Sequence, residues 1–328
     1  MCGPKFIINT DICIISANIS IMIVNFSVKN YKSFHQAVNL SMVAAALKES
    51  FVMPAQAFTE VGPDLKILPV AAIYGANASG KSNLIDAMTM MKFHIQTSLA
   101  KDNVTDKIQV EPFRLSTETE NAPTEFEISF VTKQQLFRYG FLATKDRVLE
   151  EWLYKKDLKV YAKEIELFHR EGDSLHHHPN LFKIGKLIND QQLAKESVLV
   201  LTLGYQLNDV TARAVMEWFI NLNTLLGHQY DGYRHFSLTQ IQEQTELAGD
   251  MLNLIRDADT GIEELSTAEI LERPEVMTHH TVYNEKREPV GEKWFILDRQ
   301  ESEGTKKFFH LSGPILNSLK IWQGPGDR

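Results

Sequence analysis

The chain has 328 residues, 44% of them hydrophobic and 23% charged, enough apolar material for one large folded unit or two modest ones. That balance excludes a disordered, collagen-like or polytopic membrane protein. Thirty-four basic side chains against 42 acidic ones give a net charge of −8, which argues against unspecific nucleic-acid binding and leaves only a local basic patch open.

From Phe6 to Val24 the chain reads FIINTDICIISANISIMIV. Asn9, Asp11 and Asn18 interrupt this apolar run, and an Asp at mid-span costs about 2.5–3.5 kcal/mol on insertion into a bilayer. It also lacks a small-residue cleavage site, so it fits neither a membrane span nor a signal peptide. Met22 opens something different: IVNFSVKNYKSF alternates, with Val24, Phe26 and Val28 on one strand face. Residues 1–21 are therefore expected to be an upstream extension outside the fold. Both cysteines, Cys2 and Cys13, lie in it. Two cysteines build no disulfide framework, and a body without any suits a reducing, cytoplasmic setting.

Residues 67–74, ILPVAAIY, read as a short buried strand with Pro69 near its start. Directly after it stands GANASGKS: Gly75, Ala76, Asn77, Ala78, Ser79, Gly80, Lys81 and Ser82, matching G-x-x-x-x-G-K-[ST]. The following segment places Leu84, Ile85, Met88, Met91 and Ile95 at helical spacing. Each residue type has a reason to be there. The glycines permit backbone geometry and close approach that a side chain blocks. Successive amides then line one concavity and hold phosphate oxygens. The helix N-terminus favours the same anion. Lys81 reaches the β- and γ-phosphates and the Ser82 hydroxyl ligates Mg²⁺, while Asn77 and Ser79 add side-chain donors. The motif predicts nucleotide binding, with ATP preferred over GTP because the chain contains no N-K-x-D tetrad.

Between about 108 and 170 the chain is strand-rich, with FEISF, FRYGFLA, EEWLY and EIELFHR separated by turn residues. From about 185 to 275 the pattern becomes helical. Residues 281–298 read as a hairpin, followed by a helix in which Phe308, Leu311, Ile315 and Leu319 form an apolar face and Pro314 introduces a kink. His176, His177 and His178 read as a solvated loop rather than a metal site, because adjacent turn residues do not converge on one ion. Asp257, Asp259 and Glu263 near Gly261 read as a helix end, since a calcium loop's twelve-residue ligand pattern is absent. Tyr31, Phe34 and Trp152 are expected in the core rather than stacked on adenine.

Several of these segments together resemble a family: MIVNFSVKNYKSF, YGANASGKSNLIDAM, EPFRL, PTEFEISF, FRYGF, EEWLY, MEWFINLN and FILDRQESEGTKKFF. They are similar to the ABC-class ATPases related to SMC proteins, close to the branch with OLD-type and RloA-like ATPases of abortive-infection and anti-phage systems. The resemblance covers most of residues 22–320. It implies an α/β fold: a P-loop NTPase core, like an ABC ATPase head, with an antiparallel β layer and a helical insert. It places Lys32 near the nucleotide, where the bland alternative is a solvated strand-end lysine. It makes Ser302 and Gly304 the S-x-G of a signature, where the bland alternative is an ordinary serine-capped helix. It further implies a two-fold homodimer with ATP and Mg²⁺ sandwiched at the interface, a nuclease or other defence partner, and a link to DNA. A membrane partner is not implied. The stretch from Lys81 to Ser302 is too short for long coiled-coil arms and holds no sustained heptads.

The resemblance also sets up an expectation about hydrolysis. The family continues past the signature helix with a strand ending in Asp-Glu, whereas this chain reaches Arg328 after LKIWQGPGDR. FILD at 295–298 is no substitute, because it precedes the signature and Arg299 follows Asp298. The chain thus reads as a C-terminally truncated member, or one completed by another polypeptide, with impaired hydrolysis and no assigned catalytic residue. The domain division expected is 22–170 for the nucleotide core and β layer, 171–280 for a helical lid, and 281–328 for the return to the core. Two functions remain open: an ATP-driven dimer switch in phage defence or DNA-linked processes, and a non-catalytic nucleotide-binding or interaction module.

Overall fold

The alternation around Phe26 builds the first strand of a computed structural model that describes residues 22–45, 59–62, 65–68, 70–99, 108–225 and 231–323. The expected extension, residues 1–21, lies outside the described residues. Strand β1 (Met22–Lys29) buries Val24, Phe26 and Val28. It pairs with β2 (Val38–Ser41), while β3 (Thr59–Gly62) and β4 (Leu65–Ile67) form a separate small hairpin. Helix α1 (Lys81–Thr97) follows the glycine loop. Then come β5 (Thr124–Thr132), β6 (Gln135–Ala143), β7 (Val148–Asp157), β8 (Ile165–Glu171) and β9 (Ser174–His177). They complete a seven-stranded sheet in the order β2-β1-β5-β6-β7-β8-β9, with every neighbouring pair antiparallel. Helices α2 (Ile184–Asp190), α3 (Val200–Gln206) and α4 (Val210–Asn221) finish this first unit, Met1–Leu226. The fold class is the mixed α/β one expected of a P-loop NTPase core with an antiparallel layer.

Period-two alternation gives the sheet one apolar face: Phe126, Ile128 and Phe130 on β5, Tyr139 and Phe141 on β6, Leu153 on β7 and Phe168 on β8. Leu84, Met88, Met91 and Ile95 of α1 and Trp218 and Phe219 of α4 belong to the same buried cluster. Trp218 stacks on Phe130 with ring centroids 4.0 Å apart. Tyr31 and Phe34 are buried in this core, as expected, while half-buried Trp152 donates to Glu127 Oε2 at 2.8 Å. Two charges are buried beneath the sheet, and both are held by hydrogen bonds. Glu151 accepts from the Val200 and Leu201 amides at 2.6 and 3.0 Å and from the Tyr139 hydroxyl at 3.0 Å. Burial nonetheless pushes its carboxyl above the ordinary range, against those bonds and the nearby Arg170. Arg170 donates to the carbonyls of Gly172, Ala194, Lys195 and Val198, so each nitrogen of its buried guanidinium has an acceptor. On α1, the half-buried Lys92 donates to the Leu222 carbonyl at 2.6 Å, just past the C-terminal end of α4.

Three local expectations are corrected. The run 67–74 does not form a buried strand. Pairing ends where Leu68 N donates to the Met42 carbonyl at 2.7 Å, residues 70–76 carry no strand, and Val70 and Tyr74 are 59% and 90% exposed. A parallel strand is stable only between neighbours that take its amides and carbonyls, and among the described residues none flanks 70–76. His176 and His177 sit on β9 rather than in a loop; His178 follows, its Nδ1 accepting from the Asn180 and Leu181 amides. The helical pattern also stops short of 275.

In the second unit, Gly227–Arg328, helices α5 (Arg234–Gln242) and α6 (Glu246–Asp257) give way to a meander of β10 (Glu264–Ile270), β11 (Arg273–Tyr283) and β12 (Pro289–Ile296). Its last two strands are the expected hairpin, and α6 ends at Asp257, as the reading of Gly261 and its acids required. A short α7 (Leu297–Gln300) and the long α8 (Glu303–Gln323) close the unit. Its core gathers Leu238, Met251, Ile255, Val276, Leu297 and Phe309. Of the expected stripe of α8, Phe308 packs on the cluster, but the fully buried member is Phe309, Leu316 packs beside it and Leu319 is 44% exposed. The cause is Gly313, where an added Cβ would lie 2.7 Å from Ser237 Oγ and 3.2 Å from Phe236 Cδ1. This small residue sets the line along which α5 and α8 touch.

Pro314 lies inside α8, and the helix continues through it. Proline has no N–H for the carbonyl four residues earlier, that of His310. The Ser237 hydroxyl takes that place, donating to the His310 carbonyl at 2.9 Å in a buried position. Ser237→Ala should therefore cost about 1–3 kcal/mol by stranding a buried acceptor. Adding Pro314→Ala, which restores a helix donor, should recover part of that loss. Urea midpoints of the two single variants and the double variant test this; strict additivity would refute the pairing.

Candidate nucleotide-binding site

The glycine loop takes its shape from two left-handed residues, Ala78 at φ 64° and Gly80 at φ 94°. The first costs about 1–2 kcal/mol for an L-residue. At the second even the space is closed. An added Cβ on Gly80 would lie 2.6 Å from Ser33 Oγ and 2.7 Å from Phe34 Cε1. At Gly75 it would lie 2.7 Å from Ser79 Oγ. Gly80 is thus required by contact as well as by conformation, whereas at Gly75 the close contact is with the Ser79 side chain alone. Within the loop, Ser79 N donates to the Ala76 carbonyl at 3.2 Å.

Gly80 is also the N-cap of α1. Its position supplies no side-chain cap, and the first turn of the helix holds no acid. The first amides of a seventeen-residue helix are thus left to an external acceptor, with the positive end of the helix dipole behind them. Residues 75–79 are exposed, as is Ser82. Lys81 folds back over the loop and donates to the Gly75 and Ala76 carbonyls at 3.0 and 3.1 Å. A glycine cradle that side chains would fill, uncapped amides, a lysine over the loop and an exposed hydroxyl at the second helical position fit a magnesium-bound triphosphate by donor chemistry.

The turn after β1 forms one wall of this loop. Lys32, expected near the nucleotide, is left-handed at φ 46°. Its ammonium contacts Asp86 Oδ2 at 2.5 Å and Glu111 Oε1 at 3.6 Å. Burial pushes the Lys32 ammonium down, but the two carboxylates outweigh it and hold it above the ordinary lysine value. The buried Tyr31 hydroxyl donates to the same Asp86 oxygen at 2.6 Å. Burial raises the Tyr31 pKa, with the Asp86 carboxylate adding to the shift. Asn83 Nδ2 donates to Ser33 Oγ at 2.7 Å. EPFRL joins the same construction: Lys32 N donates to the Glu111 carbonyl at 2.7 Å and Phe113 N to Asn30 Oδ1 at 3.0 Å. Asp86, Asn83, Ser33 and Glu111 escaped the sequence reading. Asp86 alone left a trace there, standing four residues after Ser82 on the same helical face.

Ser302 and Gly304 lie in the second unit. Ser302 Oγ accepts from Thr305 N at 3.1 Å and so caps α8, as its residue type suggested. Gly304 is exposed, and the nearest atom to an added Cβ is Ser302 Oγ at 3.7 Å. The preceding Glu301 is held by the Thr278 hydroxyl and His280 Nε2, both at 2.6 Å.

Residues 70–174 match the family model described as "AAA domain, putative AbiEii toxin, Type IV TA system". The matched span begins just before the glycine loop and continues through α1 and β5–β8 to the first residue of β9. It supports placing the chain in an AAA/P-loop ATPase family, for which ATP binding is expected. No curated protein matches the chain. Among the described residues no helix is long and apolar enough to cross a membrane.

Asp298, which ends the apolar run FIL, is fully engaged within its own unit. It pairs with Arg234 Nε at 2.6 Å and with His310 Nε2 at 3.0 Å. The His310 bond, against burial and with the Arg234 bond in support, holds the Asp298 carboxyl down at about 2. An ordinary Asp titrates near 3.9. Its stabilising contribution is therefore fully present above about pH 4 and is lost as pH falls through about 2. Asp298→Asn should lower stability at pH 6 and flatten the decline between pH 4 and pH 2. Parallel stability curves for the two proteins, from urea unfolding along that pH series, would show that Asp298 does not carry the acid sensitivity.

Proposed function

We propose that this chain is an ATP-binding switch of the SMC/OLD-like type, cytoplasmic and acting in phage defence or a DNA-linked process. Gly75–Ser82 grips the triphosphate, with Ser82 as the protein ligand to Mg²⁺ and Lys32 on the adjoining wall. Ser302 and Gly304 of a second copy complete the site across a two-fold dimer, which gates a nuclease or other defence partner. In this reading residues 22–170 hold the nucleotide, 171–280 form the lid and 281–328 carry the signature. The observation that carries it is the uncapped, acid-free N-terminus of α1 behind a loop that ends at a position only glycine fits, Gly80. The family description, with its putative AbiEii toxin, supports the defence setting.

Hydrolysis needs, besides the cradle, a carboxylate that positions the attacking water. Asp298 is occupied by Arg234 and His310, which leaves it no part in that step. Loss of such a group typically costs about 10²–10⁴-fold in rate. The same observation favours the second reading, a nucleotide-binding interaction module without useful turnover.

The 328-residue polypeptide should bind Mg-ATP and hydrolyse it slowly, and Lys81→Ala should abolish the binding. Isothermal titration with ATP and Mg²⁺, followed by a steady-state phosphate assay, tests both halves. No heat from the wild type would remove the binding site. Brisk turnover lost in Lys81→Ala would instead remove the claim of impaired hydrolysis.

A further inference from the structure

Asp86 is the acid nearest the glycine loop on α1, and its neighbours give it a use beyond helix surface. It stands one helical turn beyond Ser82 on the same face. Its Oδ2 receives both the Lys32 ammonium at 2.5 Å and the Tyr31 hydroxyl at 2.6 Å. These two residues open the turn whose next members, Ser33 and Phe34, would crowd a Cβ on Gly80 at 2.6 and 2.7 Å. Asn83, one residue past Ser82, holds the Ser33 hydroxyl at 2.7 Å. The turn is costly to hold: Asn30 and Lys32 are both left-handed, at φ 54° and 46°. It therefore keeps its shape through its ties, and the strongest of them converge on one carboxylate.

We propose that Asp86 is a positioning residue for nucleotide binding, acting through Lys32 and Tyr31 on the turn that walls Gly80. This rests on the nucleotide reading above and adds a residue that the motif does not contain. Asp86 fixes the backbone of residues 31–34, that backbone confines Gly80, and Gly80 aims the first α1 amides. The same tie fixes where the Lys32 charge stands relative to the cradle.

The sign of the effect separates positioning from mere proximity. A carboxylate one turn from an anion site repels the anion, so simple charge removal should tighten nucleotide binding. Positioning demands the opposite. Asp86→Asn should weaken Mg-ATP binding about tenfold, the scale of one lost charge-assisted hydrogen bond. Tripolyphosphate, which carries no base, should weaken by a similar factor. Because Asp86 works largely through Lys32, the Asp86→Asn/Lys32→Met double variant should bind close to Lys32→Met alone rather than showing the product of both losses. Asp86→Glu, which keeps the carboxylate, should recover most of the affinity.

Calorimetric titration of the full chain and these variants decides the matter, with circular dichroism confirming the fold of each. Equal or tighter ATP binding by Asp86→Asn, with a binding wild type, overturns this inference and leaves the nucleotide site standing. Additive losses in the double variant also overturn it. A wild type that binds neither ATP nor tripolyphosphate overturns both. Should Asp86→Asn not fold, Tyr31→Phe removes one donor to the same oxygen; an unchanged affinity there overturns the inference, and a several-fold loss supports it.

Discussion

The contact between Gly80 and the turn after β1 governs the shape of the site. A left-handed glycine ends the loop, and the Ser33 hydroxyl and the Phe34 ring occupy the space a side chain would need. The helix that follows begins without a cap, so its first amides and the positive end of its dipole face outward. A serine or aspartate at that N-cap would satisfy one or two of those amides internally, a gain of roughly a few tenths of a kcal/mol over glycine. The chain forgoes that gain and adds a left-handed Ala78 to it. An exposed loop with uncapped amides behind it, beside a buried and well-bonded sheet, is the pattern of a site prepared for a ligand.

The sheet beneath explains how such a loop keeps its place. Antiparallel strands β5–β8 carry an aromatic face that holds α1 along its length, through Leu84, Met88, Met91 and Ile95. Two buried charges, Glu151 and Arg170, staple the segment around α3 to the same sheet. Their value lies in what their loss would expose: each leaves several buried partners unpaired, which makes the arrangement hard to shift piecemeal. Lys92 joins the end of α4 to α1. The helix and its bed are thus fixed by packing, and the wall built from residues 30–34 is fixed by hydrogen bonds and an ion pair.

Much of this was legible in the sequence where local rules decide. Alternation gave β1 and β5–β8, the glycine motif gave the loop and the start of α1, and Ser302 declared itself as a cap. The misses share one cause: each depended on a neighbour distant in the chain. ILPVAAIY has the composition of a buried strand, but pairing beyond Leu68 requires flanking strands that local composition cannot reveal. The apolar stripe of α8 held at Phe308 but missed Phe309 and Leu316, because Gly313, the residue with no side chain to count, sets the contact with α5. Pro314 signalled a kink, but only the fold shows that a serine on another helix bonds the carbonyl the proline leaves without its helix donor. His176 and His177 looked like a loop because strand pairing with β8 is set by register rather than by histidine's own preference.

The same logic locates Asp86. In the sequence it is one of 42 acidic residues on a helix whose motif residues have already been counted, and only its spacing of four from Ser82 marks it. Only the fold shows that its carboxylate closes a circuit, from α1 to Tyr31 and Lys32, along the turn to Ser33 and Phe34, and back to Gly80 at the head of α1. A loop held at both ends by one helix has little freedom to relax, so a change at the acid is transmitted to the amides that face the ligand. Motif residues supply the donors, while the acid sets where they point. The two kinds of residue should accordingly fail differently, the first by losing a contact and the second by misaligning contacts that are all still present.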